Sequence, residues 1–154
     1  MHTTDQHGLL PRIAAIDKEL KKLRELAESL AHLLESGEDA ASSEKAAPCL
    51  LKFYAVCERI LILIDHEVSG RVASRADWHS RLVLESSVAW PGIRPAIIAD
   101  SSRKLLQKLL AFRNLERNIY GYIPAPYVIT KLSELVIAHQ PQLAHEILQF
   151  LSSF

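Results

Sequence analysis

The chain has 154 residues, 49% of them hydrophobic, with 18 Lys and Arg set against 18 Asp and Glu. A chain of that length builds one core and one domain, taken as 1–154, and its balanced charge excludes a global field drawing it onto nucleic acid or a membrane. Only five glycines stand among abundant Leu, Ile, Ala, Glu and Lys, a composition that points to helices.

From residue 9 to about 35, apolar residues recur at three- and four-residue steps (Ile13, Ile16, Leu20, Leu23, Leu26, Leu30, then Leu33 or Leu34), which predicts one long amphipathic helix. Pro11 falls in its first turn, where a missing N–H is tolerated. Asp17, Lys18, Glu19, Lys21, Lys22, Arg24, Glu25 and Glu28 form a mixed-sign solvated face between the apolar positions. Gly37 supplies a stop signal. The segment 36–48, SGEDAASSEKAAP, is small and polar and reads as a loop or a frayed helical segment.

Residues 49–68 are apolar nearly all round, which marks a central helix or one buried in an oligomer interface. Glu58 and Arg59 are its exceptions. For Glu58 two readings stand, an ion pair with an arginine of the stretch 105–122 or a place in solvent. Asp65, His66 and Glu67 are adjacent, so they project in different directions and make a poor metal triad; neither a metal nor a cofactor is expected. Cys49 and Cys57, on one helix, lie about 12 Å apart along its axis, too far for an intrachain disulfide. They read as free thiols in a reducing compartment. The N-terminus lacks the apolar core of a secretory signal. The longest apolar run, 60–64, is far short of the roughly 20 residues of a membrane span. A cytoplasmic protein without a membrane partner is therefore expected.

Ser69 and Gly70 break the chain, and Asp77 is a candidate N-cap for a shorter helix over 78–89, with Trp78, Leu82, Leu84 and Val88 as its inner face. His79, beside Trp78, is a candidate base or stacking group, but with no fixed partner in the sequence it reads as structural. The segment 90–95, Trp-Pro-Gly-Ile-Arg-Pro, is rich in turn formers. Asp100 or Ser101 caps the next helix, and Gly121, Pro124 and Pro126 close it. Two further helices, 127–139 and 141–151, are separated at Pro141, with Val128, Leu132, Leu135 and Val136, then Leu143, Ile147, Leu148 and Leu151 inward. His139 and His145 flank that proline. There is no strand-like alternation, no Gly-rich phosphate loop, no nucleophile elbow and no zinc spacing. The expectation is an all-α bundle of five or six helices.

The stretch 105–122, LLQKLLAFRNLERNIYGY, carries the site hypothesis. At about 100° per residue, Arg113, Glu116, Arg117 and Tyr120 continue the arc that Leu106, Leu109 and Leu110 mark as inward. Charges on such a face must be paired or used, because burying one alone is costly. Between residues 94 and 117, moreover, Arg94, Arg103, Lys104, Lys108, Arg113 and Arg117 face only Asp100 and Glu116, a local basic asymmetry suited to RNA.

Phe112-Arg113-Asn114-x-x-Arg117-Asn118-x-Tyr120 resembles the signature of HepT-like HEPN domains (higher eukaryotes and prokaryotes nucleotide-binding). That signature is an arginine, a polar residue, three more residues, a histidine, and a tyrosine two further on. Trp78-His79 and the Gly-x-Arg-Pro turn from Gly92 to Pro95 add to the likeness, which covers about 50–153. The resemblance implies an all-α HEPN-like bundle that dimerises so that the motif helices of two subunits meet at a cleft. It implies a toxin of a type VII-like HEPN/MNT toxin–antitoxin module. Such a toxin is a metal-independent ribonuclease on cellular RNA, silenced when a partner MNT-type nucleotidyltransferase transfers AMP to the motif tyrosine. Carried over residue by residue, Arg113 holds phosphate, Arg117 and Asn118 join it in the catalytic group, and Tyr120 is the AMPylation acceptor. Asn114, Glu116 and Glu58 stand in support.

The departure lies at the histidine position, which holds Asn118. An amide hydrogen-bonds phosphate or ribose but carries no proton near neutral pH. Two other readings therefore stand beside the ribonuclease. One is an inactive HEPN-fold binding or antitoxin-type protein using the same cleft. The other is a salt-bridged network of Arg113, Glu116, Arg117 and Tyr120 that only fixes helix packing.

Overall fold

The structure is a computed structural model that describes residues 3–37, 39–69, 77–118, 121 and 123–153, with side chains described from Arg12 onward except at positions 40 and 69. The described residues form five helices: α1 Thr3–Glu35, α2 Ala40–Ser69, α3 Trp78–Ser86, α4 Asp100–Asn118 and α5 Pro126–Ser152. Apart from one isolated bridge between Trp90 and Arg94, they contain no strand pairing. The all-α bundle of five to six helices stands, with five.

The periodicity of α1 buries Ile16, Leu20, Leu23, Ala27 and Leu30. The helix begins at Thr3, so Pro11 lies inside it rather than in its first turn. Ser36 N–H donates to Leu33 O and Gly37 N–H to Leu34 O, both at 3.1 Å. Gly37 takes φ +102°, the left-handed conformation that glycine adopts at helix ends without strain.

Of the two readings of 36–48, a loop or a helical segment, the helical one holds from Ala40. Asp39 is the reason the polar composition concealed: its Oδ1 accepts the Ser42 N–H at 2.7 Å and its carbonyl accepts Ser43 N–H at 3.0 Å, an N-cap ahead of four alanines with high helix propensity. Pro48 is exposed inside this helix, while Ala46, Leu50 and Phe53 on either side of it are buried.

Of the two readings of the apolar helix, the central one holds: α2 packs against all four other helices. It contributes Leu50, Phe53, Tyr54, Cys57, Ile60, Leu61 and Ile64 to the core. Both cysteines lie on it and are free, with Cys57 buried; burial pushes the Cys57 thiol far above its ordinary value. The solvated face assigned to α1 needs one correction. Glu19 is buried, its Oε1 receiving Lys22 Nζ at 3.1 Å and Arg59 Nη1 at 3.3 Å, because a carboxylate at the α1–α2 seam finds a cation from each helix. Asp65, His66 and Glu67 diverge as expected: Asp65 is buried, His66 exposed, and Glu67 pairs with Arg12.

Helix α3 ends at Ser86, shorter than the stretch 78–89, and its inner face is Leu82, Val83 and Ser86. Leu84 and Val88 are about half exposed at 49% and 48%. Asp77 sits at the N-cap but makes no side-chain cap bond. The two C-terminal helices are one. Pro141 lies within α5 on its exposed side, while Val136, Gln140, Leu143, Ile147 and Phe150 form an unbroken buried stripe. Leu135 and Leu148, expected inward, are 42% and 48% exposed. Packing on both sides of an outward-facing proline holds the helix together despite the lost N–H.

Helix α1 contacts α2 and α5, whereas α4 lies against α2, α3 and α5. The motif end of α4 is thus on the side of the bundle away from α1. No helix among the described residues is long and apolar enough to cross a membrane.

Candidate functional site

Helix α4 is anchored at its N-terminal end by satisfied polar contacts. Arg103 Nε donates to Asp100 Oδ1 at 2.6 Å and its Nη1 to Gln107 Oε1 at 2.8 Å. The Arg103 guanidinium holds the Asp100 carboxyl below its ordinary value, and Lys104 lies 3.9 Å from the same carboxylate. Ser102, fully buried, donates its hydroxyl to Glu146 Oε1 at 2.6 Å and meets His139 Nε2 at 2.7 Å. The hydroxyl has one proton, so with Glu146 as acceptor His139 must donate from Nε2. Glu146 Oε1 also receives the Ala99 N–H at 3.0 Å. His139 therefore serves this seam between α4 and α5, and His145 is exposed on α5.

The turn before α4 is built on Arg94. Trp90 and Arg94 exchange backbone bonds, N–H to O at 2.8 and 2.9 Å, across Gly92 at φ +79°. The Arg94 side chain is buried and folds back onto α3, donating to Val88 O and Pro95 O at 3.0 Å and Glu85 O at 2.9 Å. Its guanidinium carbon lies 4.8 Å from the Trp90 ring centroid, within cation–π range. The basic asymmetry read from 94 to 117 shrinks accordingly. Arg94 is inside the fold, Arg103 and Lys104 share Asp100, and Lys108, Arg113 and Arg117 remain.

The far end of α4 is different. Leu105, Leu106, Leu109, Leu110 and Phe112 are buried, but the core ends there. Arg113 and Glu116 are half-buried, and Asn114, Arg117 and Asn118 are exposed. The charged residues therefore line the rim of the core rather than its interior. No hydrogen bond or ion pair joins Arg113, Glu116 and Arg117 among the described residues, so the packing network proposed for them does not form there. Tyr120 lies outside the described residues. Gly121 takes φ +78° in the turn that leads to α5.

What the sequence did not connect is a cluster from α2 and α3 beside Arg113. Glu58 Oε2 accepts the Tyr54 hydroxyl at 2.8 Å and meets His79 Nδ1 at 2.5 Å. Glu58 thus follows neither expected course: it turns inward to a phenol and an imidazole, with 14% of its side chain exposed. His79 stacks on Trp78, ring centroids 3.7 Å apart. Burial, then the Glu58 charge, pushes the Tyr54 phenol far above its ordinary value, while the Arg113 guanidinium acts on it in the opposite sense. Tyr54 stays protonated and donates, and Arg113 is close enough for its charge to reach the phenol. A carboxylate oxygen only accepts, so His79 carries its proton on Nδ1 and presents Nε2 as the open nitrogen.

The i, i+4 spacing of Tyr54 and Glu58 on one helix was a legible signal of their contact. The pairing of Glu58 with His79 was not, because it depends on how α3 packs on α2. No group of three metal-ligating side chains converges among the described residues; the chemistry on offer is a guanidinium, a carboxylate-held imidazole and amides.

A family model described as HepT-like protein matches residues 45–154, which takes in α2 from its sixth residue and all of α3, α4 and α5. Comparison with curated proteins gives no match, and neither does comparison with solved structures.

Proposed function

The chain belongs to the HepT-like family, and on that premise we propose that it is the toxin of a HEPN/MNT toxin–antitoxin module, a metal-independent ribonuclease acting on cellular RNA. The observation that carries this reading is Arg113, a half-buried guanidinium without an ion pair among the described residues, on the family-matched helix α4. A guanidinium in that condition suits a phosphodiester, which it grips bidentately. Arg117 and Asn118, exposed one turn on, extend the donor surface, with Arg117 offset against charge developing on the phosphorus oxygens. Asn114 and Glu116, beside them on α4, orient the chain of the substrate.

The working form is a homodimer whose α4 helices meet, as the family likeness implies. Exposed Leu115, Ile123 and Tyr127 around the end of α4 support an apolar contact there. The antitoxin is a small MNT-type nucleotidyltransferase, and its target is Tyr120: the phenol oxygen attacks the α-phosphorus of ATP, AMP is transferred and pyrophosphate leaves. A bulky anion two residues from Asn118 bars RNA from these residues by charge and volume.

Expression without the neighbouring genes slows growth and cuts RNA, and Arg113→Ala abolishes both while the protein stays folded by circular dichroism. Toxicity unchanged in Arg113→Ala would sink the assignment of the nuclease to this site. Incubation with the partner and ATP adds mass to Tyr120 in multiples of AMP, and Tyr120→Phe blocks it. Asn118 favours a second reading, a binding protein without nuclease activity, since an amide transfers no proton at neutral pH. Purified protein that cuts no RNA yet co-purifies with a small nucleotidyltransferase selects that reading.

A further inference from the structure

A ribonuclease at the end of α4 lacks an imidazole on its own helix, since Asn118 stands where the family motif has histidine; the carboxylate there is Glu116. An imidazole is nevertheless present on the same side of the bundle. We infer that His79 of α3, held through Nδ1 by Glu58 of α2, is the base that takes the proton from the attacking ribose 2′-hydroxyl, in place of an imidazole on α4. The inference rests on the ribonuclease reading above and names the residue that reading lacks.

Four observations support it. First, the carboxylate–imidazole contact is short, 2.5 Å from Nδ1 to Glu58 Oε2, and directs Nε2 away from the carboxylate. Second, Nε2 has no protein partner among the described residues and the side chain is 24% exposed, so its open edge meets incoming ligand. Third, the ring is immobilised on both sides, by Trp78 stacking at 3.7 Å and by a carboxylate that Tyr54 in turn holds at 2.8 Å. Fourth, α2 packs against both α3 and α4, and Arg113 of α4 exerts its charge on Tyr54, which places the phosphate-gripping side chain by the same cluster. The other partly buried imidazole in a polar contact does not compete, because the His139 Nε2 is occupied by Ser102.

The step balances without a further reagent. His79 Nε2 accepts the 2′-hydroxyl proton as O2′ forms a bond to phosphorus. The bond from phosphorus to the 5′ oxygen breaks, and that oxygen leaves with its electron pair and takes a proton from water or from the imidazolium. The products are a 2′,3′-cyclic phosphate end and a 5′-hydroxyl end. Glu58 is a positioning residue: it fixes the tautomer and stabilises the imidazolium as it forms.

The test uses the full chain and total cellular RNA, scoring the appearance of 2′,3′-cyclic phosphate ends. His79→Ala lowers the rate by about 100-fold or more, the scale of a lost general base, with RNA retention on a filter unchanged, and imidazole added to the buffer restores part of it. Glu58→Gln lowers the rate by roughly 10-fold, and its residual activity still depends on His79, whereas Asn118→Ala changes it less than His79→Ala. His79→Gln, whose amide keeps an N–H for Glu58, serves where His79→Ala loses helicity. Cleavage by wild type that is abolished in Arg113→Ala but undiminished in both His79 variants overturns the assignment of the base and leaves the ribonuclease standing. So does a loss in both variants that imidazole does not restore. Wild-type protein that produces no such ends overturns the ribonuclease reading itself, and the base with it.

Discussion

Two arginines on either side of the buried stripe of α4 teach what a charge is doing in this fold. Arg94, before the helix, is 5% exposed and donates to three backbone carbonyls within and beside the turn it closes. Arg113, near the end of the helix, is half-buried and makes no ion pair or hydrogen bond among the described residues. The histidines divide in the same way. His139 gives Nε2 to a fully buried serine, and His79 gives one nitrogen to Glu58 and keeps the other open. At the start of α4 the polar groups are satisfied by one another and hold the helices in place. At its end they are aimed outward with their capacity unfilled, which is the condition of a binding site rather than of a girder.

Substitutions that exchange stability for activity at the two ends sharpen this contrast. The largest stability effect is expected at Arg94→Ala, which leaves the Glu85 and Val88 carbonyls without their charged donor. The loss is on the order of 3 kcal/mol, seen as a melting temperature lower by roughly 10 °C. Arg113→Ala, in contrast, leaves the melting temperature within about 2 °C of wild type, since a side chain at the rim of the core without a hydrogen bond or ion pair among the described residues contributes little. An Arg113→Ala protein as unstable as Arg94→Ala would erase the distinction between the two ends.

Ser102→Ala comes next. It removes the hydroxyl between His139 and Glu146 and costs about 1–2 kcal/mol, the range for stranding buried hydrogen-bonding partners. The loss is read in urea unfolding, without change in RNA cleavage. A fall in cleavage would mean that the two ends of α4 are coupled. The smallest effect is at Asp39→Ala at the start of α2, far from either end. The backbone N–H of Ser42, first among the causes, holds the Asp39 carboxyl below its ordinary value of 3.8. A depressed carboxyl contributes stability that is present above the unfolded value and lost as the pH falls through the folded one. The wild-type advantage over Asp39→Ala in a melting series is thus constant near neutrality and shrinks below about pH 4.

Helices are written in local spacing, and so are their interruptions, unless packing overrules them. The three- and four-residue recurrence in α1 and α4 marked their buried faces, and the all-round apolar character of α2 marked the central helix, because hydrophobic periodicity is a property of consecutive residues. Pro141 misled for the same reason: locally it is a breaker, yet it lies on the exposed side of a helix whose buried stripe continues past it. The polarity of 36–48 left a loop and a helical segment both open, although Asp39 before Ala40 and Ala41 was a helix start in plain view.

What the sequence determined by itself was the set of parts: the helical periodicity, the arginine, amide and tyrosine pattern over 113–120, and the absence of histidine from that pattern. What only the tertiary structure decided was the company those parts keep. Arg94 and Arg113 look alike in one dimension, and the fold buries the first against carbonyls while leaving the second at the rim. Glu58 and His79 are 21 residues apart in sequence and 2.5 Å apart in space, through the docking of α3 on α2. Hydrogen bonds and ion pairs form between whatever side chains packing brings together, and packing is a property of the whole chain.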